Sequence, residues 1–377
     1  MGIIDRYLLR QFVKAFVVFF VSLTGLYIVI DVFSNLEEFL SYGQRQGSLF
    51  AVLGEYYGAR ALTFFDVTSG VLVLIAAMFT VAWLQRHQEM TALMAAGISK
   101  GRIVAPMIAA VVVISLLAVL NRELLIPQFR DKLSRNAQDW LGENARPLNP
   151  RFDAETDIYF GGRDTYAGEQ RISDPTLKLP WGLEEHFSQI TAKNAYYRPS
   201  TDKRPGGYLL SKVTLPEDLS EFSNIRKDGR PVVLMPKDTP WLKADQCFVV
   251  SKLTFEHLAG GTAWRRYAST FDLIRGVRNR SVGYGPDVRV TVHARIVQPL
   301  LDMTLLLLGL PLVLTKENRN VFAAIGLCGL VVAGFFVVMM GCHALGSNYI
   351  LSPALAAWCP LIIFVPLAVI LSEPLRQ

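Results

Sequence analysis

The chain has 377 residues, of which 51% are hydrophobic and only 19% charged, and its formal net charge is +6. With a mean hydropathy of +0.31, it is too apolar for an ordinary soluble protein of this length. The positive charge does not indicate nucleic-acid binding, which would need a basic face interleaved with aromatic residues.

The apolar residues are clustered. A bilayer core about 30 Å thick requires about 20 mostly apolar residues per helix. Six segments meet that test: Phe12 to Val32, Ala61 to Leu84, Ile103 to Ile126, Ile296 to Thr315, Val321 to about Leu345, and about Pro353 to Ser372. The first follows Arg6, Arg10 and Lys14, but its apolar run is long and no small-residue cleavage site follows, so it is expected to be an uncleaved anchor.

Between the second and third spans lies the polar-then-amphipathic run Gln85 to Ser99, closed by the basic Lys100-Gly101-Arg102. Read as one helix from Arg86 to Ser99, it places Met90, Leu93, Met94 and Gly97 on one side, with Arg86, His87 and Glu89 at its start. Such a helix either docks into a groove of a protein outside the membrane, with Glu89 meeting a basic residue there, or rests on the membrane surface. The spacing does not choose between the two.

From Pro127 to Val292 the composition changes to Asp, Glu, Lys, Arg, Pro and Gly, interrupted by short alternating runs. The runs 157–160, 189–192, 208–213, 232–235 and 248–255 predict strands, hence a β-rich domain inserted between spans three and four. Gln128 to Leu141, with Phe129, Leu133, Ala137 and Trp140 three or four apart, predicts a helical continuation of span three. Phe271 to Val277 predicts a short helix leading back to the membrane. No Asp, Glu, Lys or Arg occurs from Val321 to Ser372, and Gly346-Ser347-Asn348 with Pro353 supplies turn chemistry, so the last two spans are expected to form a tight helical hairpin. The expected fold is therefore a polytopic α-helical membrane protein with six transmembrane helices in a 3+3 arrangement. Its segments are residues 1–126, a β-rich region 127–292, and residues 293–377.

Lys and Arg in short loops set the orientation. One side would receive Arg6, Arg10, Arg86, Lys100, Arg102, Lys316, Arg319 and Arg376, the other only Arg45 and Arg60. Both termini and the segment around Glu89 are thus expected in the cytoplasm, and the β-rich domain on the exported side. Of the four cysteines only Cys247 falls in the exported region, so no disulfide framework is expected. No Cys or His spacing resembles a metal site.

The sequence lacks a Gly-x-x-x-x-Gly-Lys-Ser/Thr phosphate loop, a His-Glu-x-x-His and a Gly-x-Ser-x-Gly. The chain is therefore expected to be no enzyme and to bind no cofactor. Any work it does needs an ion gradient or a partner. Two acidic residues inside the spans bear on the gradient. Asp66 reads as a solvated carboxylate near the exported end of span two. Asp302, seven residues after Arg295 on the same helix face, reads as a structural pairing or a polar contact with another helix.

Three motifs carry a resemblance. Arg86 to Ser99, with Glu89, Leu93, Ala96-Gly97 and Ser99, resembles the segment between spans two and three of the LptF/LptG (YjgP/YjgQ) permeases of the lipopolysaccharide export system. Val292 to Pro299 with Gly309-Leu310-Pro311-Leu312, inside Leu273 to Asn320, is similar to the start and end of that family's fourth span. Leu351 to Pro360 is similar to the start of its sixth. The resemblance implies a permease of an ABC transporter in the bacterial inner membrane, paired as a heterodimer with a related six-span chain, with a β-jellyroll-like periplasmic domain. It also implies two copies of a cytoplasmic ATPase that use the ATP, a single-span membrane partner and a periplasmic bridge protein that receives the glycolipid. Glu89 would be the coupling carboxylate, with Arg86, Leu93 and Gly97 in the transmitting helix. Members can place basic residues at the exported end of span one to meet lipid phosphates. Here Asp31, Glu37 and Glu38 stand there, which leaves Arg295 as the candidate for substrate contact or for a helix-end arginine reaching to the interface. Two other classes remain open: a membrane-anchored scaffold or receptor, and a subunit of another lipid or lipoprotein ABC complex.

Overall fold

The computed structural model describes residues 2–137, 145–180, 187–202, 204–259, 265–314 and 321–373. It divides into two compact units, one made of Met1–Phe129 with Gly285–Gln377 and the other of Arg130–Tyr284. The sequence-based borders are 126/127 and 292/293, whereas these divisions fall at 129/130 and 284/285.

The first unit is helical. Helix α1 (Ile3–Ser34) starts with Asp5 in its first turn, where a carboxylate complements the exposed N–H groups, and the Gly2 N–H donates to it at 2.9 Å. It stops at Asn35, whose side-chain amide donates to the Asp31 carbonyl at 2.9 Å and competes with a further helical turn. A helix that the sequence reading did not anticipate follows, α2 (Leu36–Gln46). Glu37 and Glu38 occupy its first turn, Arg45 its last, and Gly47 at φ 80° ends it. Phe39 and Tyr42 form its buried stripe. Helix α3 (Leu49–Arg86) is capped by Ser48, which accepts from the Ala51 N–H at 3.4 Å, and its 38 residues span about 57 Å at 1.5 Å each, well beyond the hydrocarbon thickness.

A short α4 (Glu89–Ala95) leads to α5 (Lys100–Leu120), which continues through a π turn at Asn121–Leu125 and a 3-10 turn at Ile126–Phe129. After the β-rich unit come α9 (Pro286–Leu314), α10 (Val321–Ser347) and α11 (Pro353–Leu371), the last two joined by the expected tight turn. Ser352 caps α11 by accepting from the Leu355 N–H at 3.3 Å, with Pro353 preset for the first helical position. Among the described residues six helices are long and apolar enough to cross a membrane by length and composition. Because lipid chains are as apolar as Leu, such helices associate through close packing of small residues and through polar contacts. A Cβ at Gly309 would meet Leu74, and one at Gly346 would meet Ala356. Ala76 and Ala77 are fully buried.

The second unit is β-rich, and every strand pairing in it is antiparallel. It opens with α6 (Arg130–Leu133), followed by β1 (Arg146–Pro147), β2 (Arg151–Asp153), β3 (Ile158–Gly161), β4 (Asp164–Tyr166), β5 (Arg171–Ser173) and β6 (Thr176–Lys178). The longer β7 (Gln189–Arg198) and β8 (Gly207–Leu215), β9 (Ile225–Lys227), β10 (Arg230–Leu234) and β11 (Gln246–Val250) complete it, with α7 (Phe255–Ala259) and α8 (Thr270–Arg278) after them. The central strand β7 pairs with β8 on one side. On the other it pairs with β6 through Gln189–Thr191 and with β5 through Asn194–Tyr196. The sheet therefore forks into arms β5-β4-β1 and β6-β3-β2. Ile158, Phe160, Leu177, Ile190, Tyr208 and Leu210 lie at every second position of their strands and belong to one buried core.

Two expectations need correction. The predicted helix from Gln128 ends at Leu133, and its last residues, Trp140 and Leu141, lie outside the described residues. The predicted strand 248–255 ends at Val250. There the Ser251 hydroxyl turns to the buried Asp153 at 2.5 Å and also accepts from the Leu253 N–H, which breaks the ladder. Phe255 instead begins α7. Lys316, Arg319 and Arg376, used for orientation, also lie outside the described residues.

Candidate functional site

The segment around Glu89 is built differently from the single helix its spacing suggests. Arg86 is the last residue of α3, and Gln88 adopts φ 61°, a left-handed conformation that breaks the chain direction before Glu89. Helix α4 then runs only to Ala95, and Gly97 at φ 79° turns the chain toward α5, as a glycine at this position does without Cβ strain. Arg86 and Glu89 therefore stand on separate helices, and Gly97 lies past the end of α4.

The apolar side of α4 faces inward. Met90 is buried in the core formed with Leu8 and Phe12 of α1 and Ile103 and Met107 of α5, and Leu93, Met94 and Ile98 pack against the same core. The sequence reading offered Met90, Leu93 and Met94 as a docking edge; burial uses them to fasten α4 to its own chain. What α4 presents outward is Thr91, Ala92, Ala95 and Ala96, a flat surface of small residues, with Glu89 partly exposed at its start.

Glu89 has a partner on α1. The Tyr7 hydroxyl donates to both carboxylate oxygens, at 2.9 and 3.1 Å. Nearby, Arg102 at the start of α5 approaches Asp5 of α1 at 3.8 Å. Gly2–Asp5 and Gly97–Ser99 with Arg102 line a groove of about 430 Å³. Tyr7 was missed in the sequence because a tyrosine flanking a span is common and nothing in the linear order ties it to a residue 82 positions away.

A second polar assembly lies among α3, α5 and α9. Asp66 is not a solvated carboxylate: the Arg122 Nε–H donates to both its oxygens, at 2.8 and 3.1 Å, and the two side chains are 16% and 13% exposed. Arg295 and Glu123 are near enough to act on Asp66 electrostatically, so Arg295 belongs to this charge cluster. One turn along α3, Gly70 lies against Asp302, which is buried and accepts from the Gln298 side-chain amide at 3.0 Å. Asn121 donates to the Leu62 carbonyl at 2.8 Å where α5 passes into its π turn. Arg122 and Glu123 had a signal in the sequence that went unused: both are charges inside the third predicted span, at the level where span two carries Asp66.

In the β-rich unit a pocket of about 700 Å³ is lined by Glu155, Lys227, Arg230, Lys252, Tyr197 and Ser281 among others. Its charges are matched. Lys252 donates to Glu155 at 2.7 Å, Ser281 donates to it at 3.1 Å, and Lys227 pairs with Asp157. The Lys252 hydrogen bond holds the Glu155 carboxyl below its ordinary range. Cys247 is fully buried, and burial pushes its thiol up to about 12, so it is inert in the folded protein.

Three candidate spans, a β-rich insertion and three further candidate spans, with a short bracketed helix between the second and third, are the architecture of a multi-pass membrane protein. The sequence profile of the lipopolysaccharide export system permease LptF/LptG matches residues 6–180 and 181–373. The chain belongs to this family. No curated protein matches it significantly.

Proposed function

We propose that the chain is one permease subunit of an ATP-driven exporter that extracts lipopolysaccharide, or a related large glycolipid, from the bacterial inner membrane. The observation that carries this reading is α4. It lies between two spans, is bracketed by Gln88 and Gly97 in left-handed conformations, is fastened by Met90, and turns a flat face and one carboxylate outward. A face of small residues admits close approach by a partner, and Glu89 offers that partner a charged anchor.

In this reading both termini and α4 are cytoplasmic, and the β-rich domain is periplasmic with a β-jellyroll-like role. ATP is bound by two copies of a separate ABC ATPase docked at α4, and this chain carries no cofactor. A related six-span permease completes a heterodimer, a single-span membrane protein sits beside the pair, and the β-rich domain hands the glycolipid to a periplasmic bridge protein. Glu89 is the coupling residue and Leu93 seats its helix. Arg86 closes α3 ahead of the bend at Gln88, Gly97 makes the bend after α4, and Arg295 is the candidate cation for a lipid phosphate. ATPase closure would drive rigid-body motion of the membrane helices.

The test is Glu89→Lys in the complex purified from its native membrane. Loss of ATPase association and of glycolipid release is the expected result. If both persist, or if deleting residues 86–99 leaves function intact, the chain is a scaffold and not a driven permease.

A further inference from the structure

The Tyr7–Glu89 contact has a role that the permease reading does not by itself supply, and the argument rests on that reading. Helix α4 is seven residues long, has no side-chain N-cap, and follows a left-handed residue. A helix that short is not rigidly fixed to α3, because a break in the backbone hydrogen-bond ladder separates them. Its position is set by what holds it from the side. Met90 supplies a non-directional apolar contact, and the Tyr7 hydroxyl supplies a directional one, spanning both oxygens of Glu89.

Tyr7 stands on α1, whose attachment is uneven. Only 11% of its most apolar stretch is buried, against 50% for α3 and 61% for α9. Four of its five buried residues, Leu8, Phe12, Ala15 and Phe16, lie in its first half, and Val17, Val18, Val21, Leu26, Val29 and Ile30 are exposed. At the far end α1 is held by a bond of the same chemistry, the Tyr57 hydroxyl of α3 donating to Asp31 at 2.7 Å. Between these two bonds α1 packs on α3 through the ring pairs Phe16–Phe65, Phe20–Phe65 and Tyr27–Phe64, so the helix is joined to α3 along its length and to α4 through Tyr7.

We infer that Tyr7 is a positioning residue of the coupling device: its hydroxyl fastens the Glu89 carboxylate to α1, so that displacement of α4 by the docked ATPase is passed directly to the first span. The bond also orients Glu89, since a carboxylate held on one side by a phenol presents its remaining lone pairs in a fixed direction to a cation on the partner.

The experiment compares the intact complex with its Tyr7→Phe variant, which removes one oxygen and keeps the ring. Two readouts are taken: glycolipid released per ATP hydrolysed, and the distance between spin labels at the exposed Ile3→Cys and Ala92→Cys in a background whose native cysteines are replaced by serine. Tyr7→Phe should lower the release ratio at least fivefold and broaden the label distance during turnover, whereas the unmodified tyrosine keeps it narrow. An unchanged ratio, or a lowered ratio with an unchanged distance distribution, overturns the inference. Glu89→Lys is measured beside it. If that change leaves ATPase association and release intact, the permease reading itself fails; if it abolishes them while Tyr7→Phe is silent, only the role of Tyr7 falls.

Discussion

Removing Arg122 probes how the membrane unit tolerates charge. Its Nε–H binds both oxygens of Asp66, and neither side chain is more than 16% exposed. With charge centres about 4 Å apart and an effective dielectric of about 20, the attraction is about 4 kcal/mol. Deleting one member of such a pair leaves the other uncompensated and costs about 3–5 kcal/mol. Arg295 acts on the same carboxylate and takes over part of the task, so Arg122→Leu should cost about 2–4 kcal/mol. Asp66→Leu leaves Arg122 and Arg295 near one another with Glu123 and Asp302 as the carboxylates that still act on them, and should cost about 3–5 kcal/mol. In the double variant Arg295 keeps Glu123 as a neighbouring opposite charge, so the cost should fall to about 0–2 kcal/mol. Reversible unfolding of the full chain in mixed micelles of rising SDS content measures all three. A single-variant cost below about 1 kcal/mol would be typical of a surface pair and would refute the argument, as would additivity of the two changes within about 0.5 kcal/mol.

Two further outcomes follow from other parts of the structure. His257 is buried, and burial, with Arg151, Arg130 and Arg265 around it, lowers its pKa from 6.5 to about 4; its Nδ1 also accepts the Thr254 N–H at 3.0 Å, which requires the neutral ring. Because the folded pKa is depressed, this stabilisation is complete above pH 6.5 and is lost as pH falls from 6.5 through about 4, amounting to about 2.5 kcal/mol at pH 4.5. His257→Asn keeps an acceptor and does not titrate, so amide exchange of β11 in the full chain should lose that much of its pH dependence; identical pH profiles would contradict the assignment. In α3, a Cβ at Gly70 meets the Asp302 carboxylate, whereas one at Gly58 meets nothing within 4 Å. Gly70→Ala should therefore destabilise the chain by about 1–3 kcal/mol by pushing Asp302 off Gln298, and Gly58→Ala should stabilise it by about 0.5–1 kcal/mol. Equal effects in the SDS titration would show that the Gly70–Asp302 approach is unimportant.

The six spans were legible because length and apolarity alone decide them in a bilayer, and no tertiary partner is needed to recognise a run such as Val321 to Ser372. Helix α2 was not, since Leu36–Gln46 is polar overall and its stripe of Phe39 and Tyr42 is too short to stand out. Strands β3, β7 and β8 showed alternation, and β10 a short apolar run. The short strands β1, β2, β4, β5, β6 and β9 have two or three residues each, too few for a period of two to register. Glu89 and its segment could be singled out by position, but the direction of the α4 face could not. Met90, Leu93 and Met94 form an apolar edge whether it turns outward or inward, and only the chain reversal at Gln88 decides that it turns inward.

The distribution of charge also ranks the helices by what it costs to displace them. Parting α5 from α3 separates Asp66 from Arg122 in a poorly solvated site, and parting α9 from α3 removes Arg295 from the same cluster. Each such separation costs several kcal/mol, because water is not at hand to replace the lost partner. Helices α10 and α11 contain no Asp, Glu, Lys or Arg at all, and α1 has none between Lys14 and Asp31. Their association rests on close van der Waals packing, as where Gly346 lies against Ala356, with no charge pair to separate. In α1 the polar part of the attachment lies near its ends, in the Tyr7–Glu89 and Tyr57–Asp31 hydrogen bonds, each worth about 1.5–3 kcal/mol for a charged acceptor and less where water reaches it. The trio α3, α5 and α9 is thus the set most costly to part, because its contacts include charges in a poorly solvated site.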